Sequence, residues 1–166
     1  MNENGNPDRV RHFPAHQPAV ETFNRSVIIF LTVCAADRKP ILAKDRVQKA
    51  LLDAWETADQ WRVGRYVIMP DHLHLFCSPA VREYPALKDW VKYWKSTASR
   101  ILIESGAGGT APSSPIWQRD FWDTQLRTHE SYSEKWEYVR RNPVRAGLVA
   151  CPEEWLFQGE IHSLRW

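Results

Sequence analysis

The sequence predicts an α+β domain with an antiparallel sheet and helices packed on one face. Three observations predict it: apolar, β-branched runs concentrated in the first half of the chain, long segments of helical periodicity interspersed with them, and two short runs folded around a tight turn. With 166 residues the chain is one domain, or one domain with tails, and buries enough surface to fold without a metal or disulfide staple. Hydrophobic residues at 43% and charged residues at 25% exclude a wholly disordered chain.

Residues 1–22 hold Asn, Gly, Pro, His and charge without periodicity and read as a flexible N-terminal arm. The domain proper is expected over residues 23–166. Ser26 to Ala36 (SVIIFLTVCAA) is apolar and β-branched, the pattern of a buried central strand. Asp45 is placed to cap a helix running to about Gln60, with Val47, Leu51, Ala54, Trp55 and Ala58 at helical spacing. Arg62 to Met69 and His72 to Cys77 read as strands, and Pro70-Asp71 fits the centre of a type I turn between them.

Tyr84 to Glu104 reads as a long helix whose apolar stripe is Leu87, Trp90, Val91, Trp94, Ala98, Ile101 and Leu102, with Lys88, Lys92 and Lys95 on another face. Residues 106–115 (GAGGTAPSSP) have the composition of a flexible loop. Thr124 to Arg127 suits a short strand. Ser131-x-x-Glu134 has the form of a capping box opening a further helix. That helix is expected to stop near Asn142, since Pro143 disfavours helical geometry in the residue before it. Glu160 to Trp166 is a candidate edge strand.

Charge and cysteine content narrow the function classes. A net charge of +2 permits a nucleic-acid partner without demanding one. Three widely spaced cysteines and no C-x-x-C suit a reduced, cytoplasmic protein without a disulfide framework or zinc knuckle. The longest apolar run, Val27 to Ala36, falls far short of the ~20 residues of a membrane span.

Two constellations carry chemistry. On a strand, His72, His74 and Phe76 share one face while Leu73, Leu75 and Cys77 share the other. The two imidazoles then stand about 6–7 Å apart at their Cα atoms. That spacing suits convergence on one ion; the alternative is two solvated histidines on an edge strand. Tyr138 and Asn142, four apart, lie on one helix face about 40° apart, as a nucleophile and ligand or as a core tyrosine and a helix terminator. Arg140, Arg141 and Arg145 cluster at the same helix end, where they can meet phosphates or complement the helix C-terminus.

Val67-Ile68-Met69-Pro70-Asp71-His72-Leu73-His74-Leu75-Phe76 resembles the HUH strand of the IS200-like single-tyrosine (Y1) transposases. Tyr138 to Val149 (YVRRNPVRAGLV) resembles their tyrosine helix, and Ile116 to Asp123 (IWQRDFWD) resembles a stretch typical of the REP-associated tyrosine transposases. The similarity runs from about Phe23 to Trp155. It implies a ferredoxin-like or RRM-like sheet, with the tyrosine helix near the His-bearing strand, that nicks and rejoins single-stranded, hairpin-forming DNA. It implies that His72, His74 and Asn142 hold Mg²⁺ or Mn²⁺ and that Tyr138 forms a 5′-phosphotyrosine. Asn142, where the IS200-type enzymes usually carry Gln, favours the REP-associated subgroup and with it a monomer over a helix-swapped dimer. The resemblance also implies a cytoplasmic, nucleoid-associated protein.

For DNA contacts, Lys88, Lys92 and Lys95 line one side of the long helix, Lys135, Arg140, Arg141 and Arg145 lie near the tyrosine, and Arg119 and Arg127 flank the approach to it. Trp55, Trp90 and Trp94 fit the core by spacing. Trp61, Trp117 and Trp122, at element ends, are candidates to stack unpaired bases. The competing reading is a binding module that holds hairpin DNA or RNA on the same sheet without cleaving it.

Overall fold

Ile28–Cys34 (β1) is apolar on both faces because both faces are covered, and it lies inside the sheet with a partner on each side. The computed structural model describes residues 27–106 and 115–165. The expected arm at 1–22 and most of the loop at 106–115 lie outside the described residues.

Five antiparallel strands form one sheet in the order β4-β1-β3-β2-β5, where β2 is Trp61–Ile68, β3 is His72–Pro79, β4 is Trp122–Leu126 and β5 is Gln158–Glu160. Helix α1 (Asp45–Thr57) connects β1 to β2, and α2 (Leu87–Glu104) connects β3 to β4. This βαββαβ succession, with β1 and β3 central, is the ferredoxin-like arrangement. Helices α3 (His129–Arg140) and α4 (Asn142–Arg145) follow β4, and β5 closes the β2 edge.

Two cores sit on opposite faces of the sheet. On one, Ile29, Leu31 and Val33 of β1 and Leu73, Leu75 and Cys77 of β3 pack against α1 and α2. All five positions of the predicted α1 stripe are buried. Trp55, Trp61, Trp90, Trp94 and Trp117 fill this layer, and Trp94 meets the ring edges of Trp55 and Trp117 at 5.9 and 5.8 Å. On the other face Ile28, Val67, Phe76 and Leu126 pack under Tyr132 and Val139 of α3. A bulge between Val63 and Tyr66 lets both enter the first core despite their odd spacing.

Several local expectations are corrected. Lys44, not Asp45, precedes α1 at the cap; Asp45 opens the first turn, where its charge complements the helix dipole, and the helix ends at Thr57. The cap of α3 is Thr128, whose Oγ1 accepts from Ser131 N at 3.1 Å, so the Ser131/Glu134 capping box does not form and Ser131 is already inside the helix. Strand β4 begins at Trp122, two residues before the expected start, and β5 replaces the predicted strand at 160–166. No described helix is long and apolar enough to cross a membrane.

Helix α3 stops at Arg140, and the chain re-enters a helix at Asn142. Proline is tolerated in a first turn because its missing N–H has no helical partner there. Pro143 therefore starts α4 rather than merely ending α3. Gly147, at φ +69°, closes α4: Leu148 N donates to Pro143 O and Gly147 N to Val144 O, both at 2.9 Å, the pairing of a Schellman motif.

Candidate active site

The hairpin turn and its neighbours position the histidines. Asp71 O accepts from Ala35 N at 2.9 Å and Pro70 O from Leu42 N at 2.8 Å, so the turn is tied to the chain leaving β1. Strand alternation sends Leu73 and Leu75 into the helical core and aims His72 and His74 at the other face. Their rings meet edge to face with centroids 4.8 Å apart.

Each imidazole is held through Nδ1. His74 Nδ1 lies 2.9 Å from Thr32 Oγ1, its cross-strand partner on β1. His72 Nδ1 lies 2.7 Å from Asp71 Oδ1, and Asp71 Oδ2 pairs with Arg38 Nε at 2.8 Å. A carboxylate accepting from Nδ1–H leaves Nε2 as the lone-pair nitrogen, the orientation seen behind metal-bound histidines. Burial works to raise the Asp71 carboxyl, but the hydrogen bond and charge of His72 and the charge of Arg38 outweigh it and hold it below its ordinary value. Asp37 and Arg38 both adopt φ +54°, a left-handed conformation unfavourable for side-chain-bearing residues. That turn carries Arg38 to Asp71. Thr32, Arg38 and Asp71 were not singled out from the sequence, although an Asp directly preceding a candidate ligand His is a readable signal.

His74 is neutral at pH 7. Burial lowers its pKa to about 3, helped by electrostatic interaction with His72, Lys135, Arg38 and Arg145 around it. Below the unfolded value near 6.5, the unfolded chain binds a proton that folded His74 refuses until about pH 3, so stability falls as pH drops through that window. Between pH 7 and pH 5 this costs about 2 kcal/mol. Urea denaturation at the two pH values should show the wild type losing about that much more than His74→Gln; equal losses would mean that His74 titrates normally.

Helix α3 brings Tyr138 to the same face. His74 stacks on Phe30 (centroids 5.3 Å apart, planes at 19°), Lys135 Nζ lies 4.9 Å above the Phe30 ring, and the same Nζ is 5.8 Å from the Tyr138 ring centroid. The line of contacts from imidazole to phenol thus passes through two side chains. Tyr138 is 61% exposed, so its ring is open to a large ligand. The Arg145 guanidinium sits 4.1 Å from the ring centroid and donates to Tyr138 O at 2.8 Å and to Asn142 Oδ1. Tyr138 and Asn142 are therefore joined through Arg145, across the break at Arg141, and not by lying on one continuous helix.

The fit to a divalent ion is good for the histidine pair, with both Nδ1 atoms held and His74 neutral. Among the described residues no three His, Cys, Asp or Glu side chains come together as ligands. A third donor from this chain would be the Asn142 amide oxygen, at present engaged by Arg145.

The expected DNA-contact residues separate into groups. Lys135 and Arg145 flank Tyr138, and Arg119, Arg127 and Arg141 are exposed. Arg140 is paired with Glu137 at 3.0 Å and Glu153 at 3.2 Å. Lys88 and Lys92 are exposed on α2, which covers the face of the sheet opposite the histidines. Lys95 is a correction: it is 8% exposed and its Nζ donates to Gln118 O at 2.6 Å and Arg119 O at 3.2 Å. The segment preceding β4 crosses α2 there and covers it, and burial pulls the ammonium down to about 8. Trp61 and Trp117 are also corrected, from stacking candidates to core residues at 1% and 7% exposure.

Comparison with known proteins gives a consistent relationship. A Haemophilus influenzae protein carrying the name REP-associated tyrosine transposase is 24% identical over 159 residues, covering 87% of this chain and 89% of that protein. The REP-associated tyrosine transposase of Escherichia coli is 25% identical over 97 residues, 58% of this chain and 53% of that protein. A solved structure of a REP-associated tyrosine transposase bound to a REP hairpin superposes with a TM-score of 0.63 at 17% identity, covering 89% of this chain and 80% of that one. No protein-family model matches.

Proposed function

We propose that this chain, related to the IS200-like Y1 transposases and most like those called REP-associated, is a metal-dependent single-strand DNA endonuclease and strand transferase acting on hairpin-forming DNA. The observation that carries the reading is the shared face: an exposed tyrosine, two oriented imidazoles and two unburied cations lie along one connected line.

In this mechanism Lys135 and Arg145 draw the anionic backbone onto Tyr138 and offset the charge that would repel the nucleophile. The phenol oxygen gives up its proton to solvent and attacks phosphorus, and the bond to the 3′ oxygen breaks. The enzyme keeps the 5′ phosphate as a phosphotyrosine, and the departing 3′ oxygen takes up a proton. The ester retains the bond energy, so a second 3′-hydroxyl can displace Tyr138 and reseal a strand without a nucleotide triphosphate. His72, His74 and the Asn142 amide are the residues that would hold Mg²⁺ or Mn²⁺, which when bound would polarise the scissile phosphodiester. Arg145 must release Asn142 Oδ1 for that set to form, and its guanidinium is then available to a phosphate oxygen.

The engagement of Asn142 by Arg145 also favours a second reading, a module that binds hairpin nucleic acid without cutting it. One experiment separates the two. The wild-type protein is incubated with Mn²⁺ and hairpin-bearing single-stranded DNA drawn from around its gene, then denatured. A band shifted by a covalent DNA adduct is expected. Retardation on a native gel without a denaturation-resistant adduct would reject the transferase and leave the binding module.

A further inference from the structure

Trp122 pairs with Thr32 across β4 and β1, and Thr32 pairs with His74 across β1 and β3. Directly opposed residues in an antiparallel sheet put their side chains on the same face. The Thr32–His74 hydrogen bond, and the placement of Leu126, four residues beyond Trp122, in the core under α3, assign that face to the histidines. Trp122 is thus in the same cross-strand row as His74, about 10 Å away by strand spacing. It is 48% exposed on the edge strand, whereas Trp55, Trp61, Trp90, Trp94 and Trp117 are all within the core.

We propose that Trp122 is a base-stacking platform, the far end of a subsite on which an unpaired base of the single strand beside the scissile phosphate is seated. This deepens the function proposed above and rests on it. Along this row a strand whose phosphate lies between Tyr138 and His74 meets Val67, buried under α3, on the β2 side, and Thr32 and then Trp122 at the edge on the β4 side, so the β4 side is the open way off the site. Lys135, over Phe30 in the adjoining row, supplies the cation that tracks the backbone. An aromatic face beside a cationic groove is how single strands are held without reading their sequence, because every base offers a π-face. An indole left half in water on a face that α3 covers only in part has its stacking surface available, and the occupant that matches both the indole and the nearby charge is single-stranded nucleic acid.

The test uses DNA hairpins with random unpaired flanks carrying 2-aminopurine at successive positions, bound in EDTA so that no cleavage intervenes. Wild-type protein should quench the probe at one flank position. Trp122→Ala should abolish that quench and weaken binding about 5- to 150-fold, while Trp122→Phe, which keeps a stacking ring, recovers most of both. Unchanged affinity and quench in Trp122→Ala, with the wild type binding normally, would overturn the platform and leave the transferase reading intact. If the wild type binds none of the flanked hairpins, the DNA reading itself falls and takes the platform with it.

Discussion

Tyr138→Phe should bind hairpin DNA as the wild type does and form no covalent adduct with it. The substitution removes one oxygen atom. The ring that Arg145 and Lys135 face is retained, and the Arg145 hydrogen bond goes to the backbone carbonyl of residue 138, which the substitution does not touch. At 61% exposure the side chain contributes little to packing, so stability should be unaltered within about 0.5 kcal/mol. Without the phenol there is no atom to receive the 5′ phosphate, and the adduct should drop by a factor of about 10⁴ or more, the scale on which loss of a covalent nucleophile is felt. Denaturing gels for the adduct and fluorescence anisotropy for affinity check the two halves separately. An adduct surviving in Tyr138→Phe would remove this residue as nucleophile, whatever else the site does.

Phe76→Ala should cost about 3–5 kcal/mol of stability and lower the melting temperature by roughly 10 °C. Phe76 is fully buried on the histidine face and is one of the contacts through which α3 sits on the sheet: Tyr132 and Trp136 meet its ring edge to face, with centroids at 5.0 and 6.3 Å, and Phe30 lies 5.1 Å away. Truncation opens a cavity under the helix that carries Tyr138 and beside the ring on which His74 stacks. Adduct formation should therefore fall further than the unfolded fraction explains, even at a temperature where the variant is fully folded by circular dichroism. Thermal melts and adduct kinetics on the folded variant make the comparison. An adduct rate tracking only the folded fraction would show that Phe76 stabilises the domain without setting the geometry of Tyr138.

The largest part of the architecture was legible because it is encoded in local periodicity. The alternation through His72-Leu73-His74-Leu75 reports which side chains share a face, and the helical spacing of Val47, Leu51, Ala54, Trp55 and Ala58 reports a buried stripe, without reference to any neighbour. Lys95 failed for the complementary reason. Its helical position groups it with Lys88 and Lys92, but nothing in that spacing says that the segment before β4 will cross over it and offer two carbonyls. The tryptophans divide in the same way. Whether Trp61, Trp117 or Trp122 meets solvent depends on which element lies over it.

What the chain determined alone, then, is its succession of strands and helices and the face on which two imidazoles stand, since each follows from the repeat of a strand or the pitch of a helix. Tertiary structure decided the rest. It set α3 on the histidine face, linked Arg38 through Asp71 to His72, laid Arg145 across Tyr138 and Asn142, and left Trp122 uncovered at the end of the His74 row. The seating of α3, the Arg38–Asp71 pair and the exposure of Trp122 depend on residues distant in sequence, and the Arg145 contacts depend on the break between α3 and α4, so all of them exist only after the chain has folded and each surface has met the element that covers it.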